Sequence, residues 1–113
     1  MSKSIEKLEI PIDVKRDIEI VVNILLEKFI DNISKIILFG SYATGKYQPD
    51  SDIDISVVLN ELPEKKRRIY KQAIDREMDR EIDLLFCSKE QLLSNNFVYN
   101  RINEQGIVLY EQL

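Results

Sequence analysis

The chain has no histidine. That excludes imidazole acid–base catalysis and histidine-rich zinc sites, so any metal must be held by oxygen ligands, a donor set that favours Mg²⁺ or Mn²⁺. A single cysteine, Cys87, rules out an internal disulfide framework. It lies in an apolar run, where a buried, inert thiol is expected. Glycine and proline are scarce, three of each, and 32% of residues are charged, a balance that fits neither a linker nor a low-complexity segment. Positive charge is in deficit, 16 Lys and Arg against 20 Asp and Glu, for a net charge of −4. Strong non-specific binding to nucleic acid needs many phosphate-neutralising cations, so no direct nucleic-acid binding is expected. No apolar run is long enough to span a bilayer. The opening MSKSIEKLEIP has no continuous apolar segment of the kind a secretion signal carries. A cytoplasmic protein is expected.

What is present suits one compact domain over residues 1–113, with 44% hydrophobic residues to build its core. Val14, Ile18, Val21, Val22, Leu25 and Phe29 recur at helical spacing, which predicts a helix capped by Asp13 and running to about Asn32. Lys35–Gly40 reads as a short buried strand. Ser41 to about Thr44 reads as a short helix ended by Gly45, and Tyr47–Ser51 as a turn. Ile53–Leu59 alternates as a second strand. A helix from Asn60–Pro63 to about Arg80, with Ile69, Ala73, Ile74 and Met78 inward, leads to a third strand over Glu81–Cys87. Ser88 with Gln91 resembles a capping box. A helix near Phe97–Glu104 stopping at Gly106 and a strand at Ile107–Tyr110 close the chain. The expected fold is α/β (α+β), a small mixed sheet with helices packed on it.

The chemistry concentrates in Ile37–Leu59. Gly40 and Ser41 end one strand and open a helix, and after ten intervening residues comes Asp52-Ile53-Asp54. Glycine at a strand end lets a phosphate approach the backbone, the helix start offers free N–H groups, and Ser41 adds a hydroxyl donor. Side chains two apart on a strand share a face, so Asp52 and Asp54 lie together opposite Ile53 and Ile55. Carboxylates so placed repel and favour a bound cation. Asp83, in the apolar run EIDLLF, is a costly buried charge unless paired or metal-bound. If its strand neighbours that of Asp54, three carboxylates converge, enough for a two-metal site. Taken singly, Asp52 is an ordinary turn residue and Asp54 an ordinary solvated strand position. The basic run EKKRRIYK over 64–71 reads first as a solvated helix face, and Tyr42 and Tyr47, which flank the glycine–serine turn, as packing residues.

Gly40, Ser41, Asp52 and Asp54 at this spacing, with Asp83 in IDLLF and the closing EQGIVLYE, resemble the DNA polymerase beta-type nucleotidyltransferases, in particular the minimal nucleotidyltransferases. The likeness extends from about Val14 to Glu111. It implies Mg²⁺-dependent transfer of a nucleoside monophosphate from a triphosphate such as ATP to a hydroxyl. It assigns Asp52 and Asp54 to both metals, Asp83 to the metal on the nucleophile side, and Gly40 and Ser41 to the triphosphate. Many relatives carry arginine in the short helix where this chain has Thr44, and Lys46 is the nearby cation that would stand in. Such proteins commonly accompany a helical HEPN toxin, so the resemblance implies an antitoxin that adenylylates its toxin on a hydroxyl, a tyrosine in some systems. Two other readings remain: a nucleotidyltransferase acting on a small molecule, as aminoglycoside-modifying relatives do, and an antitoxin that works by occlusion without catalysis.

Overall fold

The computed structural model describes residues 3–62 and 64–112, with the side chains of Lys3, Glu64 and Lys65 left undescribed. Among the described residues six helices and four strands follow one another as α1 (Lys3–Glu6), α2 (Ile12–Phe29), β1 (Ile33–Phe39), α3 (Ser41–Thr44), β2 (Ile53–Leu59), α4 (Glu64–Asp75), β3 (Ile82–Ser88), α5 (Lys89–Leu93), α6 (Phe97–Gln105) and β4 (Ile107–Glu111). A 3₁₀ turn, Ile30–Asn32, joins α2 to β1.

The strands form one mixed sheet in the order β3-β2-β1-β4. The pairs β1–β2 and β1–β4 are antiparallel, and β2–β3 is parallel. A parallel neighbour needs a crossover rather than a hairpin, and α4 supplies it.

Alternation along the strands sorts side chains to two faces. On one face Ile36, Leu38, Ile53, Ile55, Val57, Leu59 and Ile82 pack with Val14, Ile18, Val21, Val22 and Leu25 of α2 and with Tyr70 and Ile74 of α4. Full burial of each such aliphatic side chain is worth about 1.5–3 kcal/mol. The other face carries a smaller cluster, Ile37, Val58 and Cys87 under Leu92 of α5 and Ile102 of α6. Cys87 is fully buried, and burial raises its thiol pKa. This second cluster covers only part of its face. The rest, around Asp54 and Asp83, is left uncovered.

Several sequence expectations are corrected. Asp13 is not the cap of α2. Pro11 precedes the helix without a side-chain cap bond, and the Asp13 carboxylate instead accepts from Arg80 at 3.0 Å. Helix α4 ends at Asp75, five residues before Arg80, and its inward residues are Tyr70 and Ile74, with Ile69 exposed. Tyr70 sets this phase. Its ring stacks on Phe29 at 3.8 Å and meets Phe86 edge-on at 5.7 Å, and its hydroxyl accepts from Asn32 at 3.1 Å. Asn60–Leu62 is not helical, and Pro63, where the helix was expected to begin, lies outside the described residues. The basic run is not a purely solvated face either. Lys71 donates to the Ile82 carbonyl and pairs with Asp75 and Glu81, fastening α4 to the start of β3.

Helix α6 rides close on β1. A β-carbon on Gly106 would meet the Ile37 side chain at 2.6 Å and clash with the Ile102 carbonyl. Glycine is required there for the close approach. The residue caps α6 in an extended conformation (φ −70°, ψ 152°) rather than a left-handed one.

Candidate active site

The open part of the second face assembles from three adjacent strands. Asp54 on β2 is the register partner of Asp83 on β3 and of Phe39 on β1. Gly40 follows Phe39 directly and takes φ 72°, ψ −154°, a conformation that only glycine adopts readily. The Asp54 carboxylate lies against its α-carbon, with Cγ at 2.9 Å and Cβ at 3.2 Å from the place a β-carbon would take. Past Gly40 the chain turns at once into α3, whose Ala43 and Thr44 amides donate back to the Gly40 carbonyl at 3.1 and 3.2 Å. Strand end, glycine, serine and carboxylate pair thus occupy one corner.

The electrostatics are those of crowded carboxylates. The Asp54 pKa is pushed from 3.8 up to about 6, by partial burial first, then by the charge of Asp83, a hydrogen bond shared with it, and the charge of Asp52. Each cause disfavours the ionised carboxylate, and a divalent cation between these groups would reverse all but the first. Asp83, expected to be a buried charge, is exposed, because this end of β3 carries no helix on that face. Asp52 precedes β2 and is also exposed. Among the described residues no three acidic side chains stand close enough to form a metal-holding group. Asp54 and Asp83 are brought together, and Asp52 stands apart, contributing charge. An all-oxygen set of few carboxylates, completed by phosphate and water, suits Mg²⁺.

Of the other expected residues, Ser41 begins α3 and Lys46 lies past its far end, exposed, its amide donating to the Ser41 carbonyl at 3.1 Å. Tyr42 is buried and stacks on Tyr47 at 4.8 Å, a packing role for both.

Two arginines escape sequence reasoning. Arg80 donates to Asp17 and Asp13, each at 3.0 Å, and to the Tyr42 hydroxyl at 3.3 Å. It thereby ties α3 to α2. Arg101 on α6 lines a cleft of about 220 Å³ with Phe39, Gly40, Phe97, Val98 and Gln105. Neither has a local motif, since their partners lie 38 or more positions away in the chain for Arg80, and Arg101 meets Gly40 only through the docking of α6.

A strand ending in glycine–serine beside paired carboxylates on a mixed sheet defines a nucleotidyltransferase fold. The family model described as "nucleotidyltransferase domain" matches residues 18–108, and the chain belongs to that family. A proposed protein adenylyltransferase of Methanocaldococcus jannaschii is 36% identical over 70 residues, 60% of this chain and 64% of its own. Two others from the same organism are covered over 37% and 34% of their lengths, so the chain spans between about a third and two thirds of the curated relatives it matches. Among solved structures, a toxin–antitoxin crystallised with AMP-PNP is 30% identical, with TM-score 0.62 over 83% of this chain and 73% of that chain. A proposed nucleotidyltransferase from Sulfolobus solfataricus shares the fold at TM-score 0.65 over 99% of this chain and 91% of its own, at 20% identity.

Proposed function

We propose that this chain is a single minimal nucleotidyltransferase domain, a cytoplasmic antitoxin that transfers AMP from ATP to a hydroxyl, a tyrosine hydroxyl above all, of a HEPN-type toxin. The observation that carries the reading is the Asp54–Asp83 pair set against Gly40. It is supported by the likeness to a proposed protein adenylyltransferase and to a toxin–antitoxin crystallised with an ATP analogue.

In this reading Asp52, Asp54 and Asp83 would hold Mg²⁺, which would supply charge neutralisation at the phosphates and lower the pKa of the attacking hydroxyl. Gly40, whose missing β-carbon leaves room for the Asp54 carboxylate, would offer its backbone to the triphosphate, and Ser41 would donate to it. The acceptor oxygen bonds to the α-phosphorus, the bond from that phosphorus to the bridging oxygen breaks, and pyrophosphate leaves. The hydroxyl proton passes to Asp83, which is exposed and can pass it on to water.

The test is intact mass spectrometry of the toxin after incubation with ATP and Mg²⁺. Gain of AMP units with the wild type, lost in Asp52→Ala/Asp54→Ala, is the expected result. No gain, with tight binding by both versions, would favour neutralisation by occlusion. Consumption of ATP without modification of the toxin would point to a small-molecule acceptor.

A further inference from the structure

The open face of the sheet has a direction. From edge to centre it presents Asp83 on β3, Asp54 on β2 and the Phe39–Gly40 end of β1, with neighbouring strands about 4.8 Å apart. An in-line displacement puts the attacking and leaving oxygens on opposite sides of the phosphorus. With the acceptor entering on the Asp83 side, the leaving pyrophosphate extends the other way, across Gly40. What lies there is the cleft lined by Gly40, Arg101 and Gln105.

The cations around the site are not equivalent. Arg80 is committed to Asp13, Asp17 and Tyr42. Lys71 is committed to Asp75, Glu81 and the Ile82 carbonyl. Lys46 lies beyond the opposite end of α3 from Gly40 and does not line the cleft beside Gly40. Arg101 is the exception. Its guanidinium lies 5.5 Å over the Phe97 ring and, among the described residues, forms no ion pair. The ring under it leaves the N–H groups available while restraining the plane. The Gly106 contact with Ile37 presses α6 onto β1 and so fixes this side chain at the Gly40 end of the site.

We infer that Arg101 binds the β- and γ-phosphates of the nucleotide, with Phe97 as its positioning residue, and thereby selects triphosphates over monophosphates. The inference rests on the nucleotidyltransferase reading above. A guanidinium suits this task because it offers paired donors to phosphate oxygens.

The experiment is isothermal titration of the full chain with ATP, ADP and AMP, each with Mg²⁺, for wild type, Arg101→Ala and Arg101→Lys. Loss of a hydrogen-bonded charge costs about tenfold or more in affinity. Arg101→Ala is expected to weaken ATP by that factor, ADP by less, and AMP not at all, with Arg101→Lys intermediate for ATP. Equal weakening of all three nucleotides, or wild-type ATP affinity in Arg101→Ala, overturns the assignment while leaving the nucleotidyltransferase reading intact. Absence of any nucleotide binding by the wild type overturns both. Arg101 is exposed, so the variants are expected to fold, with melting curves matching the wild type.

Discussion

The Asp54 carboxylate fills the space that a β-carbon on Gly40 would need. One position carries both the left-handed backbone and the close approach, so its requirement for glycine is double. Gly40→Ala is expected to destabilise the protein by about 1–3 kcal/mol from backbone strain and further from the clash. The two contributions separate in urea unfolding of Gly40→Ala made in wild-type and Asp54→Ala backgrounds. The loss should be smaller in the second. Equal losses would show that the contact contributes nothing.

Asp54 also gives the metal-free protein a pH-dependent stability. Its folded pKa of about 6 exceeds the ordinary 3.8, so between these values the folded state binds more protons than the unfolded one. Stability therefore falls as pH rises through that window. The effect is about 1 kcal/mol once solvent screening of a partly exposed group is allowed for. Chemical unfolding in chelator should show this decline from pH 4 to 7, and Asp54→Asn should remove it. At pH 7.5, Mg²⁺ should raise the melting temperature of the wild type and leave Asp54→Asn unmoved.

Arg80→Ala leaves the carboxylates of Asp13 and Asp17 close together without their shared cation and frees the Tyr42 hydroxyl. A loss of about 1–3 kcal/mol is expected, concentrated at α3. Hydrogen exchange of the Ala43 and Thr44 amides should accelerate more than that of β2. Lysine cannot reach three acceptors with one planar fork, so Arg80→Lys should recover only part of the stability. Uniform acceleration across the sheet would contradict the local role.

Tyr70 joins α2, α4 and β3 through its ring. Tyr70→Ala should cost about 3–5 kcal/mol, and Tyr70→Phe only about 1 kcal/mol for the lost Asn32 hydrogen bond. Thermal melting of the two variants checks the ratio. Similar losses would place the energy in the hydroxyl rather than in packing.

Local chemistry was legible wherever it was decided locally. Ile53–Leu59 is the strand its alternation predicts. Ser88 accepts from the Gln91 amide at 3.1 Å while the Gln91 side chain accepts from the Ser88 amide at 3.0 Å, so the capping box is complete. The glycine–serine turn and Asp54 are where their spacing puts them. What failed was decided across the chain. Asp13 is a good capping residue that a distant arginine claims. Ile69 fits an apolar stripe, yet the Phe29 ring draws Tyr70 inward and turns the helix with it. Asp83 looks buried from its neighbours in sequence, and it is exposed because the second face is only partly roofed. Arg101 carries no signal of its own, since its place depends on how a helix formed some sixty residues after Gly40 settles against β1.

The parallel pairing of β2 with β3 sets Asp54 beside Asp83 across 29 positions of chain, and the antiparallel pairing with β1 brings in Gly40. A slip of one residue in β3 would send Asp83 through the sheet to the opposite face, and a slip in β1 would separate Gly40 from the carboxylate that fits it. Under the proposed function, cation and phosphate would therefore meet their ligands only in molecules whose three strands are correctly aligned. A misassembled copy would lack the corner altogether, so the proposed site acts as an inspector of the sheet's own alignment.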